Sequence, residues 1–166
     1  MRNMPLQRER YMPVFAEAAA ATVKSRSEEE DRFALSMLGK CYINGEKFIC
    51  PYDETDNPRM FKRPVIQLGN QHFLWVFTSQ EEALKADCFK VMETPVVEVV
   101  QTVLNSDDNP PFDGLAVNLH SGQKEPMPYI ALRSELKEID QQCRDTFERF
   151  IIPKMMEMQV HTIKIR

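Results

Sequence analysis

Histidine and cysteine are the residues most able to do chemistry in this sequence, so their spacing is the first clue to function. The three histidines, His72, His120 and His161, are isolated, and no HxxxH or HExxH spacing is present. A zinc site would have to be assembled from distant segments, although small zinc sites are usually marked by local spacing. One such assembly would bring His72 and His120 together across a sheet, beside Cys41 or Cys50. We expect ordinary structural histidines instead, with no metal or other cofactor.

The four cysteines give no sign of a nucleophile or of a disulfide framework. Cys41, Cys50, Cys88 and Cys143 are scattered without a CxxC pair, among apolar residues. A reactive cysteine needs a partly exposed, electropositive environment that stabilises the thiolate. Scattered thiols are typical of a reducing compartment. With no G-x-S-x-G elbow either, the sequence predicts a cytoplasmic protein that has no catalytic residues and is not an enzyme.

Phosphate, cation and membrane sites are equally poorly supported. The five glycines are never closer than six residues apart, which excludes GxGxxG and Walker loops. Asp107, Asp108 and Asp113 are interpreted as turn residues rather than cation ligands. The least polar N-terminal stretch, residues 14–23, contains Glu17 and is too short to span a bilayer, which takes about 20 apolar residues. We therefore expect no membrane association and no secretion signal.

A basic loop is the first of two predicted contact surfaces. Arg59, Lys62 and Arg63 surround Phe61 in an otherwise polar, proline-punctuated segment. Such a loop suits a phosphate group or an acidic partner. Nucleic acid is not expected, because 21 basic against 25 acidic residues leave a net charge of −4 and no concentrated basic face.

A methionine cluster near the C-terminus is the second predicted contact surface. Met155, Met156 and Met158 follow the last predicted helix. Flexible methionine side chains suit either a gap-filled core or an adaptable surface that binds a partner or a second copy of the chain.

The elements that position these residues begin with a helix ending near residue 26, an N-terminal helical extension. A second helix follows, with a capping box of Ser27 and Glu30, and Gly39 is placed to end it. Asn44-Gly45 predicts a hairpin between strands 41–43 and 46–50.

The middle of the chain alternates strands and helices. After a long exposed loop, residues 51–64, a second hairpin turns at Gly69-Asn70. Ser79-Gln-Glu-Glu82 is another capping box, opening a short helix that leads to a strand at 88–92, in a right-handed strand-helix-strand unit. A valine-rich helix after Thr94-Pro95 and strands at 114–120 and 129–132 follow.

The last predicted helix is the clearest amphipathic pattern in the chain. Its apolar stripe repeats at spacings of three and four, through Leu136, Ile139, Cys143, Phe147 and Phe150. An edge strand at 160–166 is predicted beyond it. The 166 residues favour one domain, and the elements together predict an α+β (α/β) fold, with a mixed sheet of about five to seven strands flanked by helices. The predicted domain covers residues 27–166, and the extension covers residues 1–26.

One stretch of this order resembles a known family. The segments VFTSQEEALK at 76–85 and FDGLAVNLHSG at 112–122, with a valine-rich helix between them, look like the SseB N-terminal domain family of bacteria. The resemblance covers roughly residues 33–132, with Leu119 where the family tends to have proline. It implies a small α/β domain of bacterial origin with no established catalytic residues.

These observations lead to a non-catalytic, SseB-like cytoplasmic protein that binds a protein partner of unknown identity, with a homodimer as one form of that partnership. The predicted contact residues are Arg59, Phe61, Lys62, Arg63, Met155, Met156 and Met158. Two alternatives stay open. One is a small-molecule-binding protein or enzyme whose site is built from dispersed polar residues near 112–122, and the other is a secretion-associated chaperone or component.

Overall fold

The fold is that of a computed structural model, which describes residues 10–25, 27–54, 56–57, 61–105, 112–120, 128–151, 153 and 156. Predicted edge strand 160–166 lies outside these residues. The α+β class is confirmed, since helices pack against a mixed sheet. Within the described residues, no helix has the length and apolar character needed to cross a membrane.

The described residues form five α-helices. They are α1 (Met12–Ser25), α2 (Glu28–Ile43), α3 (Gln80–Lys85), α4 (Val96–Leu104) and α5 (Arg133–Thr146), which continues as a π-helical segment, Phe147–Ile151. The long predicted C-terminal helix is confirmed as α5.

Eight strands complete the described structure. They are β1 (Lys47–Pro51), β2 (Asp53–Glu54), β3 (Phe61–Lys62), β4 (Val65–Leu68), β5 (Gln71–Val76), β6 (Val91–Pro95), β7 (Gly114–Val117) and β8 (Tyr129–Leu132). They pair as β4-β5-β7-β8, β1-β6 and β2-β3. Reciprocal hydrogen bonds of 2.8 and 2.9 Å between the backbones of Ile49 and Phe77 join the first two sheets into one hydrogen-bonded surface.

The strand pair β5 and β7 is the parallel pair of the sheet, with Phe73 opposite Gly114 and Val76 opposite Val117. Both strands therefore end at the same edge, just after Val76 and Val117. Gly114 is required where β7 begins. Its φ is 157°, and a Cβ at this position would lie 2.1 Å from the backbone oxygen of Ala131 in β8.

Helix α1 packs in the main core. The fully buried ring of Phe15 meets the rings of Phe48 and Tyr129 edge-on, with centroids 6.2 and 5.7 Å away. Buried Glu46 accepts hydrogen bonds from the backbone N–H groups of Tyr11 and Met12 at 2.8 and 2.9 Å. This carboxylate thus caps the first turn of α1 from 34 residues away. The predicted boundary at residue 26 remains a prediction, but α1 and the sheet share one core.

A polar cluster joins α2, α4 and α5 on the other side of that core. Buried Asp140 accepts hydrogen bonds at Oδ1 from the hydroxyl of Tyr42 at 2.5 Å and from Nε2 of Gln101 at 2.7 Å. Its Oδ2 lies 3.0 Å from Nε of Arg144. Burial and the bond to Asp140 raise the pKa of Tyr42 to about 12, so its hydroxyl stays a donor. Three helices are locked together by one satisfied carboxylate. We call this set of four residues the Asp140 cluster.

Two local predictions around α2 are wrong. Gly39 does not end the helix, because packing on the core continues to fully buried Cys41 and the helix runs to Ile43. Asn44-Gly45 consequently joins a helix to β1 rather than two strands. Local turn chemistry predicted the turn itself, and Gly45 has a φ of 71°.

Two further predictions are corrected by strand pairing. The strand after α3 begins at Val91 rather than at residue 88, and it pairs with β1 antiparallel, so β5-α3-β6 is not a parallel crossover unit. The six-residue α3 buries only Ala83. In contrast, α4, which lies between the parallel strands β5 and β7 in the chain, buries four valines. The loop 51–64 is not wholly irregular, since β2 and β3 pair within it.

Candidate functional site

A cavity of about 560 Å³ lies where the parallel strands β5 and β7 end. In sheets with parallel strands, ligands bind preferentially in the crevice beyond the carboxyl ends. The volume is within the usual range for small-molecule sites, about 300–1,000 Å³. We call it the α1–sheet cavity, because α1 forms one of its walls.

Small apolar side chains form the helical wall of the α1–sheet cavity. They are Ala16, Ala19, Ala20 and Val23 of α1, with Glu17 and Lys24 beside them. Val117, Pro128 and Tyr129 line the opposite wall. The alanines keep α1 from filling the space between itself and the sheet, so the cavity is a consequence of the composition of α1.

Asn118 is held in a special conformation at the end of β7. Its φ of 57° lies in the left-handed region, which asparagine adopts more readily than most residues. The side chain is fixed by Thr78, whose backbone N–H donates to Oδ1 at 2.9 Å and whose hydroxyl accepts from Nδ2 at 3.0 Å. The strand ends are therefore tied together at the floor of the cavity.

Glu82 and His120 form a hydrogen-bonded pair within the cavity lining. The carboxylate Oε2 and the imidazole Nε2 are 2.7 Å apart, and Lys85 reaches Oε1 at 3.2 Å. Burial raises the pKa of Glu82, but the bonds from His120 and Lys85 outweigh it, and the pKa lies below its ordinary value. Because an ionised carboxylate only accepts hydrogen bonds, Nε2 of His120 is the donor in this pair.

The chain beyond β7 is also fixed from the sheet. Trp75 of β5 donates from Nε1 to the backbone oxygen of Leu119 at 3.0 Å. This bond holds the backbone between Asn118 and His120, so both side chains are positioned by neighbouring strands rather than by a free loop.

The hydroxyl of Tyr129 is the one buried polar group of this site that the fold leaves unsatisfied among the residues that the structure describes. Tyr129 is 3% exposed, and its hydroxyl has no hydrogen-bond partner there. Burial, reinforced by the charges of Asp31 and Glu135, raises its pKa, so the hydroxyl is uncharged at neutral pH. Its ring also lines an adjoining cavity of about 390 Å³. A buried hydroxyl without a partner costs stability unless a bound molecule supplies one.

None of the sequence-predicted contact residues that the structure describes lines the α1–sheet cavity. Arg59, Met155 and Met158 are outside the described residues, while Phe61 and Lys62 form β3, of which the backbone is described. Arg63 is half-buried, near enough to the thiol of Cys50 to counter the rise in its pKa that burial causes. Met156 is 60% exposed.

The suggested meeting of His72 and His120 does not occur. Because β5 and β7 are parallel, His72 lies at the start of the pair and His120 beyond its end. Among the described residues, no three histidine, cysteine or acidic side chains come together as a metal site would require. Burial raises the pKa of the Cys41 and Cys143 thiols to about 12 and about 11, which keeps both protonated.

Sequence reasoning found part of this site. The alternative site near 112–122 includes Asn118 and His120, and the capping box singled out Glu82. The structure keeps one half of that box, with the hydroxyl of Ser79 accepting from the backbone N–H of Glu82 at 3.2 Å. The Glu82 carboxylate turns to His120 instead. Tyr129 was missed, since nothing local in the sequence shows whether a hydroxyl has a partner.

Comparisons with known proteins add no relative. No family model matches the chain, and searches of curated proteins and of solved structures gave no significant match. The resemblance to the SseB N-terminal domain therefore stays a prediction.

Proposed function

We propose that this protein binds a small, mostly apolar molecule that carries an uncharged hydrogen-bonding group, and that the α1–sheet cavity is the site. The observation that carries the proposal is a cavity at the ends of two parallel strands that is lined by Tyr129, a residue whose buried hydroxyl has no hydrogen-bond partner among the described residues. Ligand sites of this kind combine apolar walls with a few placed polar groups.

The charges around the cavity argue for an uncharged ligand. Glu82 is matched by Lys85 and hydrogen-bonded to His120, and the wall of α1 carries one acid and one base, Glu17 and Lys24. No excess of either sign is available among these residues to hold a charged head group. The neutral hydroxyl of Tyr129 instead suits a carbonyl, amide or alcohol.

The cellular setting proposed here follows the sequence. We place the protein in a bacterial cytoplasm and infer an SseB-like domain, with a binding role rather than a catalytic one. The four cysteines are unpaired in the structure, which supports a reducing compartment.

A fragment screen tests the proposed ligand class. Small aromatic or aliphatic amides, ketones and alcohols, with carboxylic acids and amines of the same skeletons, are added to ¹⁵N-labelled protein while amide resonances are followed. We expect neutral members to shift the resonances of Val117, Asn118 and His120, and charged analogues of the same skeleton to bind more weakly. A panel in which no compound moves these resonances contradicts the proposal.

A filled cavity provides the matched control. Ala20 lines the cavity, so Ala20→Leu is expected to occupy part of its volume and abolish the fragment shifts. Val14, which is 39% exposed on α1 and does not line the cavity, serves as the comparison. Val14→Leu enlarges α1 elsewhere and should leave the shifts unchanged. Equal binding to both variants would place the ligand outside the α1–sheet cavity.

A further inference from the structure

A second surface, independent of the α1–sheet cavity, runs between α2 and α5. Its floor carries two facing stripes at i, i+4 and i+8, which are Leu35, Gly39 and Ile43 of α2, and Ile139, Cys143 and Phe147 of α5 and the π-helical segment. Cavities of about 490 and 430 Å³ follow this line and adjoin at Ile43 and Cys143, which line both, and we treat them together as one groove. We call it the α2–α5 groove.

Large apolar side chains stand open at one end of the α2–α5 groove. Ile43 and Phe147 are each 46% exposed. Phe147 was predicted to continue the buried stripe of α5, but the helix changes there to π geometry, which turns later residues away from the stripe. Apolar side chains grouped along a groove mark an interaction surface more often than isolated ones do.

The two sides of the groove carry opposite charges along most of its length. Arg32 and Lys40 line it from α2, and Glu135 and Glu138 line it from α5, while Arg144 and Glu148 add one charge of each sign at the far end. The groove therefore attracts a partner that places an acidic side over α2 and a basic side over α5. This chain presents that arrangement to itself when it is turned by half a rotation.

The direction of the helices fixes which rotation works. The second cavity is lined by residues near the C-terminal ends of both helices, so α2 and α5 run in the same direction. The two helices are in contact, since Sγ of Cys143 lies 3.6 Å from the backbone oxygen of Gly39. A two-fold axis along the groove would place α2 of one copy over α5 of the other. In such a symmetric interface every contact occurs twice, because the same patch is used on both copies.

We propose that the α2–α5 groove is a homodimer interface, in which α2 of each copy packs on α5 of the other. Arg32 then faces Glu138 of the second copy near one end, and Ile43 faces Phe147 of the second copy near the other. The exposed apolar pair supplies buried area, and the opposite charges set the register.

Charge reversal tests this arrangement. Sedimentation velocity over a range of concentrations gives the dimer dissociation constant of the wild type, Arg32→Glu, Glu138→Lys and the double variant. Each single reversal places like charges together and should raise the constant about tenfold or more. The double variant restores opposite charges and should return to within about threefold of the wild type.

Two controls keep the outcome decisive. Glu29 and Lys137 lie on the same helices but do not line the groove, so Glu29→Lys and Lys137→Glu should leave the dissociation constant unchanged. Far-ultraviolet circular dichroism confirms that each variant is folded. A chain that stays monomeric at every concentration overturns the proposal, and so does a dimer that the groove reversals do not weaken, or one that the double variant does not restore.

Discussion

Two tyrosine hydroxyls in this protein have opposite surroundings. The hydroxyl of Tyr42 donates to Asp140 in a cluster where Gln101 and Arg144 also reach the same carboxylate. The hydroxyl of Tyr129 is buried without a partner among the described residues, beside a cavity. The Asp140 cluster uses its polar groups to hold three helices together. The cavity is lined by a tyrosine whose buried hydroxyl is unsatisfied among the described residues, and our proposal of a binding site rests on this difference.

The largest expected effect is on the Asp140 cluster. Asp140→Ala removes the carboxylate that accepts hydrogen bonds from the side chains of Tyr42 and Gln101. Both donors then lose this acceptor in a region of low accessibility. We expect the free energy of unfolding to fall by about 4 kcal/mol, as for other broken buried charge networks. Urea denaturation measures the change. Asp145→Ala on the same helix, where the side chain is exposed, should cost less than about 0.5 kcal/mol.

The next effect concerns the anchor of α1. Glu46→Ala removes the acceptor of two backbone N–H groups at the start of α1, at a cost of about 2 kcal/mol. Because α1 also forms a wall of the cavity, amide hydrogen exchange in α1 should accelerate more than in β7. Glu46→Gln keeps an acceptor oxygen and should recover part of the loss. Exchange that accelerates equally in both elements would show that α1 is not anchored separately by this carboxylate.

Tyr42→Phe probes the satisfied hydroxyl alone. Its removal deletes one hydrogen bond to an ionised acceptor, and we expect a loss of about 1.5 kcal/mol. Urea denaturation at neutral pH measures it. A change below about 0.3 kcal/mol would mean that Gln101 and Arg144 satisfy Asp140 without the tyrosine.

A smaller, pH-dependent effect belongs to the cavity. The folded-state pKa of Glu82 is lowered, so its ionised form stabilises the fold above the unfolded-state pKa of about 4.3. This stabilisation is lost as the pH falls through the lowered pKa. The stability difference between the wild type and Glu82→Gln should therefore shrink as the pH falls below about 4. A difference that grows as the pH falls below about 4 would contradict the lowered pKa of Glu82.

Local patterns predicted the elements that rest on local physics. The stripe of Leu136, Ile139 and Cys143 is buried in α5 as expected, and the turn at Gly69 has the positive φ of 62° that its hairpin needs. The hydroxyl of Ser79 caps α3. Each of these depends on residues within a few positions of one another.

The rest of the fold depends on pairings between segments that are distant in the sequence. Neither the antiparallel pairing of β1 with β6 nor the cap that Glu46 places on α1 leaves a local signal. The site follows the same rule. Asn118 and His120 lie in a segment that the sequence singled out, but the cavity exists because α1, with its alanines, packs across the strand ends. That the hydroxyl of Tyr129 has no hydrogen-bond partner among the described residues is visible only in three dimensions.

The smallest expected change in the free energy of unfolding gives the most direct test of the role proposed for Tyr129. The test compares two matched tyrosine-to-phenylalanine substitutions. Tyr129→Phe removes a hydroxyl that makes no hydrogen bond in the described fold, so the free energy of unfolding should stay the same or rise by up to about 1 kcal/mol. Tyr42→Phe should lower it by about 1.5 kcal/mol in the same urea titration. Equal losses in the two variants would show that the hydroxyl of Tyr129 already has a partner within the fold, and would contradict its assignment to a ligand.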